Sequence, residues 1–260
     1  MPLTRFRLAG VKPLQVWDLD IGGGLKFWQA TGAGTIEALR RNGVNEAAIV
    51  RTVGAGIGLG CKAILDKIPF DHVYIAGGLT MLPGIAAQVH VHAPAVPITF
   101  DPHGSNYAGA AGRALFGDDV IVLDVGQTAL KGFSAGIRMR WHRDTDKLPI
   151  EATAPSDAIE FIVRGLSVLL ADDKSQDAPI LLSMAAPVGS DFVIGETSYG
   201  LFGHSVYEIV DAARIYDRDV YVINDAELAA FGVIRRNTER TLVLTFGLGP
   251  GASMLTPQST

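Results

Sequence analysis

Apolar positions along this chain follow two rhythms. Short, nearly continuous apolar runs alternate with longer stretches in which apolar side chains return every three or four residues. Val120–Gly126 reads as a buried strand, followed by Ala129–Gly136 and Ile137–Arg143 as two more strands of a meander, broken at Gly136. Pro155–Leu170 predicts a helix: Pro155 suits its first turn, and Ile159, Ile162, Val163 and Leu166 share one face. Pro179–Val188 predicts a strand running into a loop, Ser205–Ile215 a helix, Val220–Asn224 a strand and Ala226–Arg235 a helix. Such alternation predicts an α/β fold.

The flanking segments repeat this order when 241–260 is read ahead of residue 1. Thr241–Gly247, Ala252–Thr256 and Leu14–Asp20 predict three strands, and Gly34–Asn42 and Glu46–Asp66 predict helices. His72–Ala76 predicts a strand, Leu82–Val89 a short helix, Val96–Phe100 a strand and Tyr107–Leu115 a small-residue helix. Two similar domains follow: one over 118–237, the other over 1–117 plus 238–260, with the two chain ends as neighbours in the split domain.

Composition narrows the function. The 260 residues are 48% hydrophobic, enough for one large core or two medium ones. Net charge is −5, and 27 acids against 22 bases argue against a nucleic-acid surface. The lone Cys61 makes neither an internal disulfide nor a cysteine zinc cluster, which fits a reducing cytoplasm. Charges interrupt the N-terminal segment where an export signal needs an apolar core. No run approaches the roughly 20 apolar residues of a membrane span, so neither export nor a membrane partner is expected.

Four glycine- or acid-bearing segments carry candidate chemistry. In Asp124–Lys131 a strand ends in a tight turn, where Gly126 opens the backbone, Thr128 adds a hydroxyl and Asp124 can hold Mg²⁺. The plainer alternative is an ordinary strand–turn–strand. In Thr245–Ser253, Gly247, Gly249 and Gly251 alternate between two strands. They suit a phosphate cradle or, equally, a simple hairpin; a following strand instead of a helix excludes the dinucleotide fingerprint. Gly77 and Gly78 close a strand and would let a flat group lie on the backbone, or make a common βα turn. Asn224 and Asp225 end another strand, where α/β proteins bind ligands; Asp225 is a candidate general base or, alternatively, a helix cap. Gly54, Gly56, Gly58 and Gly60 predict close helix packing.

Together these segments resemble the actin-like ATPase superfamily, and within it the ROK sugar kinases, in circularly permuted order. Asp124–Lys131 is similar to the first phosphate loop, Thr245–Ser253 to the second and Gly77–Thr80 to the adenosine motif. Val220–Gly232 resembles the catalytic segment, Pro179–Gly189 a strand before it, and Gly34–Glu37 a sugar-binding segment. The resemblance implies two ribonuclease-H-like domains around a nucleotide cleft. It implies ATP and Mg²⁺ as cofactors, with Asp124 as metal contact. Gly126, Thr128, Lys131, Thr245, Gly247, Gly249, Gly251, Gly77 and Gly78 would bind nucleotide, and Asp225 would be the base. Asn224 and Glu37 would contact a small-molecule substrate such as a sugar. The expected activity is phosphoryl transfer to a hydroxyl, and the family allows a homodimer. The alternative is a non-catalytic nucleotide-binding switch or a reactivase-type ATPase of the same fold. The family's zinc cluster and its Glu-x-x-Gly-His segment have no counterpart here.

Overall fold

A computed structural model describes residues 3–93, 95–126, 129–142, 154–173, 177–197, 199–234, 239–247 and 249–257. The early strands are β1 (Leu3–Arg5), β2 (Val11–Leu14), β3 (His72–Gly77) and β4 (Ile98–Phe100). Next come β5 (Ile121–Val125), β6 (Ala129–Phe133), β7 (Arg138–His142), β8 (Ile180–Met184) and β9 (Val220–Asn224), and last β10 (Thr241–Phe246) and β11 (Pro250–Leu255). The helices are α1 (Phe27–Thr31), α2 (Ala33–Arg41), α3 (Glu46–Leu65), α4 (Ile85–His92) and α5 (Tyr107–Phe116). They continue with α6 (Pro155–Leu170), α7 (Val206–Ala213) and α8 (Asp225–Ile234), and short 3-10 turns cover Gly78–Met81 and Gly104–Asn106. The protein is thus a mixed α/β chain, as its pattern predicts.

Two mixed sheets carry the architecture, with orders β7-β6-β5-β8-β9-β1 and β2-β11-β10-β3-β4. In the first, β5–β6–β7 is an antiparallel meander, and β8 and β9 add parallel to β5. In the second, β10–β11–β2 is the meander, and β3 and β4 add parallel to β10. The strands β5, β6, β7, β8, β9 therefore correspond in order and direction to β10, β11, β2, β3, β4. Central parallel strands buried on both faces explain the unbroken apolar runs: every residue of β5, β8 and β10 is buried.

The chain divides into two compact units. The first holds Met1–Arg7 and Ala108–Leu228, the second Leu8–Tyr107 and Ala229–Thr260. The boundaries differ from those read in the sequence at 1–7, 108–117 and 229–237. Apolar packing is the reason at the first two. Leu3 is buried in the first unit's core, and Phe6 packs on Phe116 and Tyr221 at ring separations of 5.5 and 6.2 Å. In α5, a Cβ at Gly109 would strike Phe133 and one at Gly112 would strike Val122, so this helix lies close on the first sheet. Strand β1 pairs parallel with β9 as a sixth strand that the second sheet lacks. The early chain therefore joins the first unit while β11 sits in the second, which corrects the expectation that the two ends share one domain.

One strand is shorter than expected. Leu14–Asp20 continues the ladder only to Leu14, because the next backbone bonds are local: Leu19 N–H donates to Val16 and Ile21 N–H to Leu25. Helix α3 shows why its glycines are there. Cβ atoms at Gly54 and Gly58 would strike Gln88 and His92 of α4, and those at Gly56 and Gly60 would strike Ala30 and Phe27 of α1. Asn45 caps this helix by accepting from Ala48 N–H at 2.9 Å. Among the described helices only α3 is long and apolar enough by composition to cross a membrane; 56% of its apolar window is buried. That corrects the reading that no such window exists: Arg51 and Lys62 interrupt the apolar run without lowering the mean hydropathy enough.

Candidate active site

In the first unit, three neighbouring parallel strands deliver polar side chains at their C-terminal ends: Asp124 from β5, Ser183 from β8, and Asn224 with Asp225 from β9. The ladder register sets Asp124 beside Ser183 and Met184 beside Asn224. Asp124 is buried, and Lys131 Nζ of the adjacent β6 donates to its Oδ2 at 2.7 Å. Ser183 Oγ donates to Asp124 Oδ1 at 3.1 Å. The first turn thus carries a charge-paired carboxylate whose two oxygens are held in fixed directions.

Asn224 and Asp225 divide two tasks that the sequence left joined. Asn224 is the cap of α8: its Oδ1 accepts from the N–H groups of Ala226 at 3.0 Å and Glu227 at 3.3 Å. Its Nδ2 donates to the carbonyls of Met184 at 3.3 Å and Ala186 at 3.2 Å. Both ends of this amide make hydrogen bonds within the fold. Asp225 accepts from Ala226 N–H at 2.8 Å and from its own backbone N–H. Burial, and then the negative charge of Asp124, push its pKa up to about 7, against the smaller opposing effects of the Ala226 N–H and the Lys131 charge. A carboxyl poised near neutrality beside a second, charge-paired carboxylate suits a general base.

Gly126 follows β5. A Cβ there would lie 3.0 Å from the carbonyl oxygen of Ala129, a crowded contact that glycine avoids. The buried Tyr199 donates its hydroxyl to the Gly126 carbonyl at 2.9 Å. Thr128 lies outside the described residues.

In the second unit the candidate glycines split into two kinds. Gly77 has φ of +100°, and a Cβ there would come within 2.5 Å of the Phe246 carbonyl oxygen; the end of β3 thus lies on the backbone of β10. Gly249 would drive a Cβ to 2.0 Å from the Trp17 ring. These two are glycines for packing. Gly78 and Gly247 face open space, with nothing within 4 Å of a Cβ. Gly247 N–H donates to Gly249 O at 3.2 Å across the turn, and Gly251 pairs with Thr245 in the ladder. The Thr245 hydroxyl is fully buried and has no hydrogen-bond partner among the described residues. An orphaned buried hydroxyl costs on the order of 1–3 kcal/mol unless something pairs with it. Glu37 is exposed on α2, also in the second unit.

Ser183, Tyr199 and Trp17 did not stand out in the sequence. Ser183 had a signal, as the one polar residue inside the apolar run Ile180–Met184. Tyr199 and Trp17 reach their turns only through tertiary packing.

Mg²⁺ prefers six oxygens and keeps several waters when protein offers one or two carboxylates. Among the described residues no group of three or more His, Cys, Asp or Glu could hold a metal ion. Asp124 and Asp225 are two carboxyl groups, so a cation held there would need oxygens from elsewhere. No protein-family model matches the chain, and no curated protein matches it.

Proposed function

We propose that the protein is an ATP- and Mg²⁺-dependent phosphotransferase acting on a hydroxyl of a sugar or similar small molecule. The proposal includes two ribonuclease-H-like domains in circularly permuted order; the matching order and direction of five strands in each sheet support it. The observation that carries the function is Asp225, at a strand end beside Asp124 and Lys131, with a carboxyl raised to about 7 and its capping task taken by Asn224.

In this reading Asp225 accepts the proton of the substrate hydroxyl as that oxygen forms its bond to the γ-phosphorus of ATP, and ADP leaves. Such a transfer depends mainly on positioning and charge neutralisation. Lys131 and Ser183 fix the Asp124 carboxylate, and Asp124 would hold Mg²⁺ through water and the nucleotide phosphates. Mg²⁺ when bound supplies the positive charge that offsets the phosphates. Within the first unit the Gly126 turn suits a phosphate and, taken by itself, so does the open Gly247 turn of the second unit.

A second reading, a nucleotide-dependent switch without substrate, draws on Asn224. Its amide is consumed in capping α8 and bonding Met184 and Ala186, which removes one expected substrate contact. ATP consumption measured across a panel of sugars and polyols separates the two. Turnover that requires an added hydroxyl compound supports the phosphotransferase, whereas substrate-independent hydrolysis supports the switch.

A further inference from the structure

We infer that Trp17 is a positioning residue for the second glycine turn, holding Gly249 in place beside the open Gly247; this rests on the phosphotransferase reading. Three observations in the second unit converge. First, Gly249 has no room for a side chain because the Trp17 indole lies against it, with ring atoms 2.0, 2.5 and 2.7 Å from the place of a Cβ. Second, the indole is itself braced. It stacks on Trp28 of α1 with ring centroids 5.9 Å apart and planes 15° apart, and Trp28 N–H donates to the Trp17 carbonyl at 3.3 Å. Third, the turn that Trp17 presses on carries Gly247, which faces open space, and follows the strand that holds the buried Thr245 hydroxyl, without a partner among the described residues.

A glycine-rich turn has the most backbone freedom to lose on ordering. A turn that must lie against phosphate oxygens gains affinity if that ordering is complete beforehand. A large flat side chain laid on one glycine of the turn removes that freedom and leaves the open side at Gly247 unobstructed. Trp17 is 38% exposed, so a ligand at the turn would also change the surroundings of its indole. Nothing in this role touches proton transfer, which belongs to Asp225 in the other unit.

The test combines calorimetry, kinetics and tryptophan emission on the full chain. Trp17→Ala should weaken ATP-Mg²⁺ binding about tenfold, the effect of losing one well-placed contact's worth of ordering. KM for ATP should rise and kcat should stay. Trp17→Phe, which keeps a ring over Gly249, should restore most of the affinity. Gly249→Ala displaces the indole and should reproduce the Trp17→Ala defect. Emission of the wild-type chain should change saturably with ATP-Mg²⁺. That change should persist in Trp141→Phe and vanish in Trp17→Phe. Saturable calorimetric binding with no emission change, and with unchanged affinity in folded Trp17→Ala, would overturn the inference and leave the phosphotransferase reading standing. Absence of any calorimetric ATP-Mg²⁺ binding to the wild type would overturn both.

Discussion

Asp225 behaves unlike a surface aspartate because two effects act in the same direction on it. Burial disfavours its charged form, and the charge of Asp124 adds to that; Lys131 offsets only part. Since the folded-state pKa lies above the unfolded value of 3.8, the group's contribution to stability is complete below about 3.8. It is lost as pH rises through about 7. Asp225→Asn should therefore flatten the fall in stability between these pH values, which denaturant titrations at several pH values will show. As the proposed base the same group must be ionised to accept a proton, so kcat of the proposed reaction should rise through about 7, and Asp225→Asn should lower it by about 10²–10⁴-fold with ATP affinity retained. Lys131→Met removes the cation paired with buried Asp124. It should cost roughly 3–5 kcal/mol by chemical denaturation. The same change removes an influence that lowers the Asp225 pKa, so the activity profile should move to higher pH. These residues were legible in part. Acids that close apolar strands announce themselves, and so Asp124 and Asp225 stood out. The division of labour between Asn224 and Asp225 did not, because it depends on which side chain meets the N–H groups of α8.

At the scale of elements, local signals and tertiary packing contributed unequally. Helix α6 begins and ends where Pro155 and the apolar period predict, and α7 starts with Ser205 and Glu208 capping each other's backbone N–H groups. The segment after Leu14 defeated the pattern. Its alternation of Val16, Trp17, Asp18, Leu19 and Asp20 imitates a strand, yet its backbone bonds close local turns and its apolar residues Val16 and Ile21 point into the core. Strand β1 was invisible, being three residues long and defined only by β9 beside it. The glycines of α3 were read correctly as packing residues, and their geometry makes a sharp prediction. Gly60→Ala would press a Cβ to 2.3 Å from the fully buried Phe27 ring, which cannot swing away. The expected cost is about 1–3 kcal/mol of overpacking. Gly34→Ala in α2, with nothing within 4 Å, should instead be neutral or stabilising. Thermal melts of the two variants check this pair.

Across the whole molecule, the repeated strand order is the feature that links chain to fold. It was legible because a meander followed by parallel strands leaves the same sequence of apolar runs in both units. The position of the split was legible too, since β10 and β11 at one end of the chain complete the meander with β2 near the other. What remained hidden was β1, whose packing through Leu3 and Phe6 ties the early chain to the first unit. This changes where the chain can be reconnected. Thr256 N–H donates to the Gly10 carbonyl at 2.8 Å, and Leu255 pairs with Val11. A chain opened at Gly117–Asp118, with a short turn joining Thr256 directly to Gly10, should therefore keep the second sheet intact. The seven-residue segment Met1–Arg7 would be supplied separately as a peptide to restore the edge of the first sheet. A cooperative melt that rises on adding the peptide is the expected outcome.

We propose Asp225 as the base in ATP-dependent phosphorylation of a hydroxyl. Its most direct measurement is ADP release by wild type and Asp225→Asn with ATP-Mg²⁺ and a panel of sugars and polyols, alongside calorimetric ATP affinity for both. The expected result is substrate-dependent ADP release by the wild type, near-complete loss in Asp225→Asn, and equal ATP affinity in the two. Undiminished substrate-dependent turnover in Asp225→Asn, or no ATP binding by either protein, would contradict it.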